Sequence, residues 1–354
     1  MLVINDTHLG VNRAGGTTPV SRLMLAEYTL QQFDSLISMA DDYCLINGDL
    51  LDGFLVDNRT LQSVFRVLSA HLNGGLKKLY LARGNHDLSK DSTKLSSFDL
   101  LGFMLTEAFP GRVVVITEPK QIQWADGCGL VLPHAPNQDV FDTWLQRAPE
   151  LAPAGSLLFV HANYNNGFAA EADHSLNVSP EQAAVLGEHF RRIVFGHEHQ
   201  ARNDTNGLVV VVGNQFPTSV SDCLGNDRKT ALSVRGGELY PLVTWEAAGS
   251  FYQVDWSKTH MVPEGTQFIR VTGEASDEQA SDVLEAISRL RKAHKAFVIS
   301  NAVTINGQAL DASALDAVEA VQQFNILDFL YDCLTPAQVD RLKGYAAEKE
   351  NNNA

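Results

Sequence analysis

The run Tyr43-Cys44-Leu45-Ile46-Asn47-Gly48-Asp49-Leu50-Leu51-Asp52 decides how the fold is read. A short apolar segment closed by a glycine and then a carboxylate has the form of a strand buried on both faces that breaks off in a sharp turn. That form recurs on either side. Leu2 to Asn5 leads into Asp6-Thr7-His8, Lys78 to Ala82 into Gly84-Asn85-His86-Asp87, Leu157 to Val160 into His161, and Ile193 to Phe195 into Gly196-His197-Glu198-His199. Val113 to Ile116, Gly129 to Leu132 and Leu208 to Val212 read as further buried strands. Between them, Arg22 to Ala40 and Arg59 to Leu72 carry apolar residues at three- and four-residue spacing, as helices covering a sheet do.

This alternation defines an α/β domain over residues 1–245. The texture then changes. Gln267 to Thr272 and Phe297 to Ile305 read as strands, and Ser276 to Lys295 as an amphipathic helix striped by Val283, Leu284, Ile287 and Leu290, so residues 246–306 form a small α+β module of one helix and two strands. Residues 307–354 read as a polar linker and a helical tail, with Thr335 as N-cap and Pro336 as first residue of the final helix. Within the tail, Phe324, Ile326, Leu327, Phe329 and Leu330 make a stretch apolar on more than one face. It can dock on its own domain or receive the helices of another chain.

Composition narrows the class. With 45% hydrophobic and 19% charged residues among 354, the chain is globular, not disordered, collagenous or coiled-coil. No apolar run approaches the roughly 18 residues of a membrane span, and the first residues lack the basic flank of a signal peptide, so a cytoplasmic protein without membrane association is expected. Asp6 leaves only four or five residues for the first strand, as a start codon placed late would. Cys44, Cys128, Cys223 and Cys333 are far apart with no CxxC spacing and read as reduced packing residues. Lysine and arginine total 27 against 42 acids, and a net charge of −15 opposes general affinity for polyanions, though a bound dication reverses the field locally.

Each polar cluster alone is weak; their joint, ordered placement at strand ends is strong. In open α/β sheets the ligand crevice lies beyond the carboxyl ends of the strands, so residues scattered over two hundred positions converge there. Mixed carboxylate, amide and imidazole donors suit manganese, iron or zinc, whereas an all-oxygen set suits magnesium or calcium. Gly48, Gly84 and Gly196 stand where a Cβ would crowd the backbone against such a site.

The ordered set DxH, GDxxD, GNHD, a lone histidine and GHxH resembles the calcineurin-like metallophosphoesterase superfamily over about Met1 to Trp245. The resemblance implies a four-layer αββα sandwich with two metal ions on one edge. It implies that Asp6, His8 and His199 ligate the first metal and Asn85, His161 and His197 the second, with Asp49 bridging. It also implies that His86 is a catalytic non-ligand histidine that protonates the leaving oxygen or steadies the transition-state charge, and that Asp52 is its orienting partner. Asp6-Thr7-His8-Leu9-Gly10 and Gly48-Asp49-Leu50-Leu51-Asp52 further resemble the DxHLG and GDxxD of SbcD-type DNA-repair nuclease subunits, and the overall length with a short two-helix tail resembles most the phage-encoded versions. That implies two manganese ions, 3′ to 5′ exonuclease and single-strand endonuclease action on DNA, and a DNA-capping role for the α+β module. Further implications are a tail gripping an SbcC-type coiled-coil ATPase, a homodimer, and location in a host cytoplasm. The competing reading from the same chemistry is a stand-alone phosphodiesterase for a small nucleotide or pyrophosphate.

Other residues have plainer readings. Arg13, Arg22, Arg59, Arg83 and Lys90 are expected to be solvated charges more than phosphate contacts. His134 is expected to make a structural hydrogen bond near the rim, and Tyr164 and Phe168 to stack on a base or pack their loop.

Overall fold

The structure is a computed structural model that describes residues 1–11, 19–88, 94–166, 176–204, 206–225, 227–294 and 297–310. The tail, including Phe324, Ile326, Leu327, Phe329 and Leu330, lies outside the described residues, as do Arg13, Lys90, Phe168, Cys333 and the side chain of Arg22.

Among the described residues, two six-stranded sheets form the main body. The first runs, edge to edge, β14 (Glu238–Glu246), β13 (Arg228–Arg235), β1 (Leu2–Ile4), β2 (Tyr43–Asn47), β3 (Lys78–Ala82) and β4 (Val113–Ile116). The second runs β11 (Arg202–Asn203), β12 (Val209–Val211), β10 (Arg192–Gly196), β7 (Leu157–His161), β6 (Gly127–Leu132) and β5 (Lys120–Trp124). A two-strand ribbon, β8 (Asn163–Tyr164) with β9 (Asn177–Val178), lies in the loop region after β7.

The period of two along each strand explains the layering. Val3, Leu45, Tyr80 and Ala82 face Val131, Phe159 and Val194 of the other sheet in one central core. Their chain neighbours point outward: Leu2, Ile4, Cys44, Ile46, Leu79 and Leu81 pack under helices α1 (Pro19–Ser38), α2 (Asn58–Gly74) and α3 (Ser97–Ala108). On the opposite face, Leu130, Leu158, Val160, Ile193 and Phe195 pack under α4 (Gln138–Leu151) and α5 (Pro180–Gly187). Strands covered on both faces must be apolar at every position, which is why they read as continuous runs. The result is the expected four-layer αββα sandwich.

The antiparallel hairpin β13–β14, absent from the reading of apolar runs, adds an edge to the first sheet. β14 alternates and is largely exposed, with Pro241 within it, so it lacks the run that marks a buried strand. Its signal was the turn Gly236-Gly237, both at positive φ, which a tight hairpin requires.

The module after it is richer than one helix and two strands. Four strands pair in the order β15 (Phe251–Asp255), β16 (Phe268–Ala275), β17 (Phe297–Ile305) and β18 (Gln308–Ala309). Helix α6 (Ala280–Ala293) crosses between the parallel β16 and β17 and buries the expected stripe members Val283, Ile287 and Leu290 against Ile269, Val271 and Val303. Leu284 is only partly buried. Phe268 leaves this core and joins that of the main body, edge-on to Tyr28 of α1 with ring centroids 5.4 Å apart.

Phe268→Ala should therefore cost about 3–5 kcal/mol, the range for truncating a fully buried phenylalanine. Thermal unfolding should show the loss as a lowered midpoint; an unchanged midpoint would mean that the contact does not tie the module to the body.

Candidate metal centre

The carboxyl ends of β1, β2, β3, β7 and β10 meet at one edge of the sandwich, so both sheets contribute. Asp6 and His8 follow β1, Asp49 and Asp52 follow β2, and Asn85 and His86 follow β3, while His161 closes β7 and His197 and His199 follow β10. The first two loops remain zipped beyond their strands. Asp6 N–H donates to the Gly48 carbonyl at 3.2 Å, His8 N–H to that of Asp49 at 3.0 Å, and Asp52 N–H to that of Leu9 at 3.1 Å.

Asp6, His8 and His199 form one set whose ligand atoms lie within 4.8 Å of one another, and Asp49, His161 and His197 form a second. Nε2 of His8 is 3.0 Å from Nε2 of His199. Asn85 Oδ1 belongs with the second set, 3.1 Å from His161 Nε2 and 2.8 Å from His197 Nδ1. Oδ2 of Asp49 stands between the sets, 3.4 Å from His161 Nε2 and 3.9 Å from His8 Nε2. All seven residues expected as ligands are thus together, and a third group, His8, Asp52 and His86, overlaps the first. Imidazole nitrogens and carboxyl oxygens converging at about 3 Å fit cations held by bonds of about 2.0–2.2 Å.

Close approach dictates the backbone. A Cβ on Gly48 would lie 2.0 Å from His161 Nδ1, and one on Gly84 would lie 2.1 Å from Asp49 Oδ1. Asp6, His8, Asp49 and His197 are held at φ 50, 45, 50 and 89°, in the left-handed region that side chains avoid. Such strain costs on the order of 1–3 kcal/mol per residue and persists only where surrounding bonds overdetermine it. Here both Asp6 oxygens accept from the His197 N–H, at 3.0 and 2.9 Å, and Asp49 Oδ1 accepts from the His86 N–H at 2.9 Å.

Three of the four ligand imidazoles have a group behind Nδ1, whereas His197 turns its own Nδ1 towards Asn85 Oδ1. His161 Nδ1 donates to the Asn47 carbonyl at 2.9 Å, His8 Nδ1 stands 3.3 Å from Asp52 Oδ1, and His199 Nδ1 stands 3.0 Å from Asp222 Oδ1. A carbonyl or carboxylate on Nδ1 leaves Nε2 to face the cluster. Asp52 therefore has a broader place than orienting His86. Its main-chain carbonyl accepts from His86 Nδ1 at 2.8 Å, while its carboxylate lies against His8.

Three residues without an assigned role in the sequence hold the loops. Asp87 is buried and accepts from Gly84 N–H at 2.9 Å and Leu51 N–H at 3.3 Å, bracing the turns after β2 and β3. Burial and the neighbouring Asp49 push its carboxyl up to about 7. Glu198 accepts from the Tyr164 N–H at 2.8 Å and from Arg202, whose guanidinium lies over the Tyr164 ring at 5.4 Å; Tyr164 thus packs its loop in this arrangement. Asp222, from the one-turn 3₁₀ helix Ser221–Cys223, had no motif to announce it.

One plain reading needs correction. Arg83 is half-buried and donates to the Thr117 carbonyl at 3.0 Å, so it is not a freely solvated charge, because its strand-end position draws it under the loop after β4. His134 is buried edge-on against His161 at 6.2 Å; its main-chain N–H donates to the Arg83 carbonyl at 2.8 Å, and its Nδ1 has no hydrogen-bond partner among the described residues. Burial pushes its pKa down to about 3. Arg59 is exposed as expected, and Cys44, Cys128 and Cys223 are unpaired thiols.

The profile of the calcineurin-like phosphoesterase family matches residues 1–201. The chain belongs to that family. It is accordingly a metal-dependent phosphoester hydrolase of a family that binds two divalent ions, with matching His/Asp clusters in place. No curated protein sequence matches it significantly. Among solved structures, TT1561 of Thermus thermophilus is similar at 15% identity over 69% of this chain and 98% of that one, with a TM-score of 0.40. The phosphopantetheinyl hydrolase PptH of Mycobacterium tuberculosis is similar at 14% identity over 60% and 89%, with a TM-score of 0.37. Among the described residues no helix is long and apolar enough to cross a membrane.

Electrostatics gives a test of the metal fit. Burial disfavours charge on His161, but Asp49 beside it more than offsets that and carries its pKa up to about 9. A ring protonated at pH 7 must lose its proton to ligate. Binding of a divalent ion should release protons at pH 7 and tighten as pH rises towards 9. Calorimetry in buffers of different ionisation enthalpy measures that release, and its absence would exclude His161 as a ligand that is protonated in the metal-free protein.

Proposed function

We propose that this chain is the nuclease subunit of an SbcCD-like recombination and repair complex, most like the phage-encoded versions. In this reading it is a 3′ to 5′ exonuclease and single-strand endonuclease that uses two manganese ions. The observation that carries the reading beyond the family is the α+β module seated on the catalytic body. Phe268 enters the same apolar cluster as Leu9, Leu50 and Leu51 of the metal loops and Phe216 of the loop leading to Asp222. A module bordering the cluster in this way suits a cap that guides a long substrate.

The two ions would be held by Asp6, His8 and His199, and by Asn85, His161 and His197, with Asp49 shared; when bound they activate water and stabilise charge on the phosphoryl group. Asn85 adds a donor without adding negative charge, which helps a phosphodiester anion to enter. His86 is held by its main chain on Asp49 and by Nδ1 on the Asp52 carbonyl, so its Nε2 is the atom that protonates the departing oxygen as the phosphorus–oxygen bond breaks.

Exposed side chains support the partner readings. Leu100 and Phe103 of α3 are 44% and 64% exposed, and Leu95 and Leu55 beside them 76% and 69%. An apolar face of that kind suits a homodimer. The net charge of −15 fits an arrangement in which the ATPase supplies much of the affinity for DNA. That charge also favours the second reading, a stand-alone phosphodiesterase for a small nucleotide or pyrophosphate.

End-labelled DNA incubated with the purified chain and manganese should give product ladders, and His86→Ala should cut turnover by roughly a hundredfold or more while leaving metal content nearly intact. Activity on an aryl phosphodiester but not on DNA, even with the ATPase present, would favour the small-substrate reading. Deleting residues 314–354 should abolish ATPase capture in a pull-down yet spare hydrolysis of the aryl phosphodiester; undiminished capture would refute the tail's role.

A further inference from the structure

We propose that Asp222 is a positioning residue for the Asp6–His8–His199 metal set: its carboxylate holds the His199 proton on Nδ1 and thereby presents Nε2 to the cation. The proposal rests on the reading of His199 as a ligand.

The geometry separates the two oxygens of Asp222 by task. Oδ1 stands 3.0 Å from His199 Nδ1. Oδ2 accepts three donors, Thr218 N–H at 2.9 Å, Thr218 Oγ–H at 2.8 Å and Ser219 N–H at 3.1 Å. A carboxylate saturated in this way cannot turn, and since it only accepts, Nδ1 must carry a proton. Asp222 and Thr218 are both buried, so water competes poorly for these bonds.

His199 needs such a partner more than His8 and His161 do. The side chains of His8 and His161 are 4% and 0% exposed and are gripped by packing, whereas that of His199 is 33% exposed. Its main chain is tethered separately: the carbonyl accepts from Lys229 Nζ at 3.4 Å, and Lys229 is itself buried and bonded to Asn214 Oδ1 at 2.5 Å. With the backbone fixed by Lys229, the ring's remaining freedom is rotation and tautomer, and Asp222 removes both.

The substitution Asp222→Asn tests this sharply. The three donors around Oδ2 require an oxygen there, so the amide nitrogen must face His199. It can only donate to Nδ1, which moves the proton to Nε2, the atom that should face the metal.

Ring-nitrogen NMR of the metal-free wild type should show His199 protonated on Nδ1, and in Asp222→Asn on Nε2. Titration with manganese should show affinity of the first site lowered by about 10–100-fold in the variant, the range for loss of an orienting partner. Wild-type His199 protonated on Nε2, or a folded Asp222→Asn protein with wild-type manganese affinity, would overturn the proposal. Because the first measurement needs no variant, it decides even if the substituted protein fails to fold. His199→Ala separates the two readings: if that variant binds two manganese ions with wild-type affinity, the ligand assignment fails, whatever the tautomer.

Discussion

The site depends on how closely the loops after β2 and β3 approach each other at Gly84. The carboxylate and backbone nitrogen of Asp49 occupy the space a Cβ would fill there, at 2.1 and 2.2 Å from its ideal position. That contact sets where Asp49 stands, and Asp49 is the carboxylate shared by the two ligand sets. Gly48 plays the matching part towards the second sheet by leaving room for the His161 ring. The two sheets can bring their strand ends this close because a continuous apolar layer between them, from Val3 and Leu45 to Phe159 and Val194, holds them in contact.

Electrostatics then explains why the cluster needs cations. Asp6 and Asp49 are fully buried, and burial together with the neighbouring Asp49 raises the Asp6 carboxyl above its ordinary range. Asp49 stays ionised despite its own burial because His161, His8 and His86 surround it. His161, its pKa carried up to about 9, thus brings positive charge beside the acids, and the cost of the buried acids and of four left-handed residues is offset by the bonds among the loops. Burial alone would raise the Asp222 carboxyl, yet its bonds from His199 and Thr218 hold it well below the usual carboxylate range, so it remains an anion behind His199.

Much of this was legible in the residues themselves. The ligand residues were readable because every one follows an apolar run, and runs buried on both faces are the clearest strand signal. The β13–β14 hairpin was missed because Lys229, Thr230 and Ser233 interrupt the apolar run of the mostly buried β13 and β14 is largely exposed, and the extra strands of the module because β15 and β18 are short and partly exposed. Asp87 lay inside a recognised motif, but its bracing of Leu51 and Gly84 depends on two loops meeting in space.

The sequence by itself determined the layered fold of the body, the family and the set of residues that converge, because each is encoded in local patterns of apolar run, glycine and polar donor. Only the tertiary structure decided which nitrogen of each histidine faces inward and which group stands behind it. Asp222 reaches His199 across 23 positions, and Asn47 reaches His161 across 114. Such pairings have no period and no spacing rule; they arise when packed sheets bring remote loops within hydrogen-bonding distance.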